Sequence, residues 1–171
     1  KIIWVRPSIR NDILIYGTLR ITNSLIIWDQ TEHQQTRLRI KKGGTLLIKD
    51  SHGFGGNRFW VNWEYESGST ILLDGFIGNP WTSMNGTVDF QAINYSTVKM
   101  SLFDKIDNST ITISKAHHVW LELFPPEEST LDITFPEKRK WMNWNINNIW
   151  PNSTLNITDS YIYERDITIS N

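Results

Sequence analysis

Gly17-Thr18-Leu19-Arg20-Ile21 is a five-residue phrase that this chain writes eight times. It returns as Gly44-Thr45-Leu46-Leu47-Ile48, Ser69-Thr70-Ile71-Leu72-Leu73, Gly86-Thr87-Val88-Asp89-Phe90 and Ser96-Thr97-Val98-Lys99-Met100. It closes with Ser109-Thr110-Ile111-Thr112-Ile113, Ser129-Thr130-Leu131-Asp132-Ile133 and Ser153-Thr154-Leu155-Asn156-Ile157. The residue after Thr is always aliphatic, and the residue two further on is always apolar. Period-two alternation sends these two positions to one face of a strand and Thr with the intervening residue to the other. The small residue before Thr fits a corner, where the chain needs relaxed sterics.

Successive Thr of the phrase are 27, 25, 17, 10, 13, 20 and 24 residues apart. Reading Thr97 as a second strand within one coil leaves a unit of variable length in the low twenties. Such units suit a parallel solenoid, whose turns absorb length variation while its stacked strands share one core. An antiparallel sandwich also uses short strands, but it would not require the same phrase at the same corner. Its hairpin signals are thin too, with Asp74-Gly75 and Asn85-Gly86 as the candidates. Composition agrees: 23 Ile and 16 Thr against 2 Ala favour strands, because Cβ branching suits a pleated surface better than a helix. The expected architecture is all-β, a single-domain right-handed parallel β-helix of about six coils. Residues 1–12 would form an entry segment or cap and 13–171 the stacked coils.

From Ile13 onward the chain resembles the right-handed parallel β-helix proteins of the pectin-lyase-like class. The resemblance rests on the repeat columns and on runs such as Ile15-Tyr16-Gly17-Thr18-Leu19-Arg20-Ile21-Thr22-Asn23-Ser24 and Ser153-Thr154-Leu155-Asn156-Ile157-Thr158-Asp159-Ser160. It implies a secreted or cell-surface setting. The class holds polysaccharide lyases, glycoside hydrolases, epimerases, tailspikes and adhesins, so fold alone does not choose a function.

The 171 residues carry 17 Lys+Arg, 18 Asp+Glu and no Cys. That length supports one domain burying roughly 70% of the unfolded chain's surface. The near-zero charge gives no reason to expect nucleic acid. Without Cys there is no disulfide framework, thiolate metal site or cysteine nucleophile. No apolar run reaches membrane-spanning length. The chain opens on Lys1 without a basic-then-apolar leader, which fits a processed piece of a longer protein. The strand-like end Asp166-Ile167-Thr168-Ile169-Ser170-Asn171 would expose an unpaired edge, so further chain or another subunit is expected beyond Asn171.

Chemistry is thinner. Arg39-Ile40-Lys41 and Ser51-His52-Gly53 echo fragments of the polygalacturonase-like set, but in reversed order and without its Asp pair. The densest polar cluster is Lys49, Asp50, Ser51, His52 and Arg58, with Asp74 about one coil later. Stacking would bring Asp50 or Lys49 near Asp74, so Asp50, His52, Arg58 and Asp74 are the catalytic candidates. The bland alternative is a turn, since Asp50-Ser51-His52-Gly53-Phe54-Gly55-Gly56-Asn57 is rich in loop formers. His117-His118 precede a strand in which neighbours face opposite sides, so they make no metal site. A phosphate loop, nucleophile elbow and zinc-protease motif are all missing, and no cofactor is implied.

Nine Trp are the other anomaly. Trp60, Trp63 and Trp81, with Trp141 and Trp144 beside Asn143, Asn145 and Asn147, offer indole faces and amides suited to sugars. The competing role for each is core filling. Ice binding fails because no regular Thr-x-Thr ladder exists. Five Asn-x-Ser/Thr sequons start at Asn85, Asn94, Asn108, Asn152 and Asn156, acceptors if the protein is exported in a glycosylating organism. The function expected is a surface scaffold or carbohydrate-recognition module, its partner a polysaccharide or glycan. A polysaccharide-active enzyme and a self-associating filament or oligomer subunit are the alternatives.

Overall fold

The structure is a computed structural model and describes residues 3–5, 12–28, 30, 32, 35–55, 61–78, 80–123, 140–147, 150 and 152–169. Among these there is no helix, and the strands pair in parallel with one exception. The chain runs first through β1 (Ile3–Val5), β2 (Ile13–Ile15), β3 (Thr18–Thr22), β4 (Ser24–Trp28), β5 (Arg37–Ile40) and β6 (Thr45–Lys49). The chain continues through β7 (His52–Gly55), β8 (Val61–Tyr65), β9 (Ser69–Asp74), β10 (Ile77–Gly78), β11 (Pro80–Gly86) and β12 (Val88–Ile93). Last come β13 (Thr97–Ile106), β14 (Thr110–Ser114), β15 (His118–Leu123), β16 (Lys140–Asn147) and β17 (Thr154–Ile169).

Strands stack in three rows, β1-β4-β7-β10, β2-β5-β8-β11-β13-β15 and β3-β6-β9-β12-β14-β17, the last two joined where β17 also pairs β15. Paired strands within a row lie 18–27 residues apart in sequence, except β14 and β17, which are 44 apart. In the third row the two apolar columns of the repeated phrase run straight. Leu19, Leu46, Ile71, Phe90, Ile111 and Leu155 form one; Ile21, Ile48, Leu73, Ala92, Ile113 and Ile157 form the other. From Leu46 and Ile48 onward all are buried, and they form one core with the inward side chains of the second row.

Two echoes depart from that rung. Thr70 sits opposite Asp89, not Thr87, a slip of two residues. Gly86 and Thr87 are consumed by the corner, where Gly86 has φ +83° and the Thr87 amide donates to Ser67 Oγ. A slip of two preserves which face is buried. Thr97 starts β13 beside His118, in the second row and not the third. Thr130 lies outside the described residues.

The first row ends with the two-residue β10, after which β13 and β15 follow directly on their corners. The exception to parallel pairing is β16, which runs antiparallel to β17 with Trp144 opposite Ile157 and Asn147 opposite Thr154. Its partners on β17 run from Thr154 to Ile162 and do not include the strand end at 166–169.

The corner after the third-row strands uses left-handed residues. At the end of the third-row strands, Asn23, Asp50, Gly75, Asn94, Lys115 and Asp159 have φ between 45° and 65°. Their amides climb from coil to coil, as Asn23 N–H donates to Lys49 O and Asp50 N–H to Asp74 O. A buried serine often follows, and its hydroxyl accepts the amide of the coil below. Ser51 takes Ser24 N–H, Ser96 takes Phe76 N–H and Ser160 takes Ala116 N–H.

Candidate functional site

The second row presents a flat outward face. Alternation buries Leu38, Ile40, Val61, Trp63, Tyr65, Thr82 and Met84 and turns their neighbours to solvent. One outward column runs Leu14, Arg39, Glu64, Ser83, Ser101, Glu122. Beside it, Arg37 pairs with Asn62, Asn62 with Trp81, and Lys99 with Trp120. Trp81 and Lys99 each precede the paired Thr82 and Met100 by one residue.

The upper part of this face is aromatic. Trp81 and Trp120, two rungs apart, bring their rings to 5.9 Å in an edge-to-face arrangement. Lys99, on the rung between, places Nζ 5.8 Å from the Trp120 ring centroid. Among the described residues Lys99 has no carboxylate partner. The Trp81 indole N–H donates to Ser101 Oγ at 3.0 Å, and the Ser101 hydroxyl donates to Glu122 Oε2 at 2.9 Å. Buried Ser101 thus fixes both the ring and the carboxylate.

The lower part is ionic. Glu64 forms ion pairs with Arg39, Oε2 to Nε at 2.8 Å, and with Arg37 at 3.5 Å, while Arg39 Nε also lies 3.5 Å from Asp12. At the corner below, Lys41 and the Lys42 amide donate to Glu66. The hydrogen bond from Lys41 holds the Glu66 carboxyl below the usual glutamate range. Glu64 and Glu122 are three rungs apart, about 14 Å at the spacing of paired strands. A glycosidase pair needs roughly 5–10 Å.

The sequence candidates fall in several places. Trp81 is on the outward face. Trp63 is not: it is fully buried, in the inward column between Leu38 and Thr82, with its ring 5.9 Å from Trp28 and 5.4 Å from Phe76. That corrects its assignment to a sugar surface; in β8 the even positions face out. Trp141 and Trp144 lie in β16 opposite Tyr161 and Ile157. Trp60 and Arg58 lie outside the described residues.

Asp50 and His52 border one hollow with Asn23, Ser24 and Leu25. Asp74 is turned to its own neighbours, since Lys49 pairs with it in register, Nζ to Oδ2 at 3.8 Å, and Asn94 Nδ2 donates to its Oδ1 at 2.8 Å. Of the sequons, Asn94, Asn108 and Asn152 occupy exposed left-handed corner positions. Asn152 Nδ2 donates to Asn108 Oδ1 at 3.3 Å. Asn85 sits at the register shift between Met84 and Gly86, and Asn156 is half-buried in β17 opposite Asn145. No group of three or more His, Asp or Glu side chains gathers for a metal among the described residues, and no described helix could cross a membrane.

Lys99, Ser101, Trp120 and Glu122 were not among the sequence candidates. Their signal was available: from Trp81, steps of 18 and 21 residues reach Lys99 and Trp120, and the same steps from Ser83 reach Ser101 and Glu122. Comparison of the chain with protein-family models, curated proteins and solved structures finds no match.

Proposed function

We propose that this chain is a right-handed parallel β-helix of the pectin-lyase-like kind, part of a secreted or cell-surface protein, whose outward β11–β13–β15 face binds a glycan. Parallel strands one coil apart support the solenoid, and right-handedness is the rule for parallel crossovers. The observation that carries the binding role is Trp81 and Trp120 on one sheet face with Lys99, which has no carboxylate partner among the described residues, between them. Indoles stack on the C–H faces of sugars, while Ser83 and Glu122 beside them offer hydrogen bonds to hydroxyls. The lysine favours a glycan bearing carboxylate or sulfate. Binding is preferred over hydrolysis because Glu122, the carboxylate beside the two indoles, lies about 14 Å from Glu64, too far to share one glycosidic bond with it. The exposed corner residues Asn94, Asn108 and Asn152 are the acceptors favoured in a glycosylating host.

A glycan array tests this. Acidic glycans bind, Trp81→Ala and Trp120→Ala each weaken binding by roughly 30-fold, and Lys99→Gln removes the preference for acidic over neutral glycans. An array that stays blank with the folded protein overturns the proposal.

A further inference from the structure

The corner between the third and first rows opens a hollow of about 270 Å³ on the first two coils, lined by Asn23, Ser24, Leu25, Asp50 and His52. Its size suits one sugar ring more than a drug-sized ligand. The backbone holds its polar groups firmly. Asn23 and Asp50 are left-handed, with φ 48° and 46°, and their amides are tied to Lys49 O and Asp74 O. Their side chains, by contrast, have no hydrogen-bond partner among the described residues.

The later corners differ. One coil on, the position is Gly75, and a Cβ there would stand 2.9 Å from Asp50 Oδ1, so the missing side chain is what makes room for the Asp50 carboxylate. The next corner residue, Asn94, spends its amide on Asp74. Only at the first two coils, among the described corners, do a carboxamide and a carboxylate stand stacked and unengaged. Ser24 donates its hydroxyl hydrogen to Thr22 O and keeps its oxygen as an acceptor. Leu25 supplies an apolar patch.

We infer that this corner hollow is a second ligand site, for a hydroxylated ring such as a terminal pyranose. Asp50 accepts from two neighbouring hydroxyls, Asn23 donates to one and accepts from another, and Leu25 packs on the C–H face. The site shares no residue with the Trp81–Lys99–Trp120 face and stands whether or not that face binds a glycan.

The test is a ¹H–¹⁵N titration of the full chain with methyl β-D-glucopyranoside, methyl α-D-mannopyranoside and methyl β-D-galactopyranoside, and separately with calcium chloride. At least one glycoside gives saturable shifts at the Asn23 side-chain amide and the Asp50 and His52 backbone amides. Asn23→Gly and Asp50→Asn both suit a left-handed corner, so the fold is kept. Each weakens the response by roughly tenfold or more, whereas Trp81→Ala leaves it intact. Absence of corner shifts with all three glycosides overturns the inference. So does a response unchanged in both corner variants, and so does saturation by calcium alone.

Discussion

Gly53 carries a burden that its neighbours in sequence conceal. Asp50-Ser51-His52-Gly53-Phe54-Gly55-Gly56-Asn57 reads as a turn by composition, yet His52–Gly55 is strand β7. Gly53 faces inward because the Phe76 ring fills the space its side chain would take. A Cβ on Gly53 would lie 2.8 Å from Phe76 Cζ and 3.2 Å from the Trp28 ring; on Gly78 it would lie 2.3 Å from the Gly53 carbonyl oxygen. An aromatic ring can shift at moderate cost, whereas a backbone oxygen in a paired strand cannot. Gly53→Ala should therefore cost about 1–3 kcal/mol, the range for overpacking, and Gly78→Ala more. Urea unfolding midpoints check the order, and equal stability of both variants with the parent would contradict it. Such an exchange of side chain for neighbouring ring leaves no local mark. Only pairing His52 with Ile77 and Gly53 with Gly78 puts Phe76 over the two glycines.

At the scale of the element, the recurring unit is strand plus corner, and its legibility divides there. The strands could be read because each phrase alternates; the columns from Leu19 to Leu155 and Ile21 to Ile157 are its two apolar positions, except in β12, where Phe90 and Ala92 stand in them. The slip at Thr87 could not be read, since a shift of two keeps the alternation intact and only corner geometry selects it. Corner serines explain why Ser so often precedes Thr. Ser109 accepts Val88 N–H at 2.9 Å and lies within hydrogen-bonding distance of the Gly86 and Asp107 carbonyls, while its own amide donates to Ser153 Oγ at 3.1 Å. Removing the hydroxyl leaves a buried amide without a partner, which costs about 1–3 kcal/mol. Ser109→Ala should lower stability by that amount and accelerate hydrogen exchange at Val88 more than at Phe76, whose amide Ser96 still holds. Uniform acceleration at both amides would point to general loosening, not loss of a corner bond.

For the molecule as a whole, the outward face was less legible than the core because a candidate site spread over three strands, β11, β13 and β15, has no contiguous motif. Trp81, Lys99 and Trp120 become neighbours only after the coil period is known, and Trp63 resembles them in composition while facing inward. The same two-sidedness shapes the response to pH. Burial pushes the Tyr65 hydroxyl well above its ordinary value of 10.0, because the phenolate cannot be hydrated inside the core. In the unfolded chain that phenol ionises near 10.0, so folding stability is full below this pH and falls as the pH rises towards the folded value. Outside, Glu66 is held below its ordinary value of 4.5, chiefly by the hydrogen bond from Lys41. Its contribution has the opposite sense: present above 4.5 and lost as pH falls through the lowered folded value. Because Glu66 is solvent-exposed and screened, the acid effect is the weaker of the two. Thermal unfolding across pH should therefore show a plateau with a steeper alkaline side. Tyr65→Phe, which keeps the ring and its 6.1 Å contact with Phe90, should flatten that alkaline side and leave the acid side unchanged. If the variant falls as steeply as the parent above pH 10.0, the alkaline limit belongs to other groups and the buried phenol does not set it.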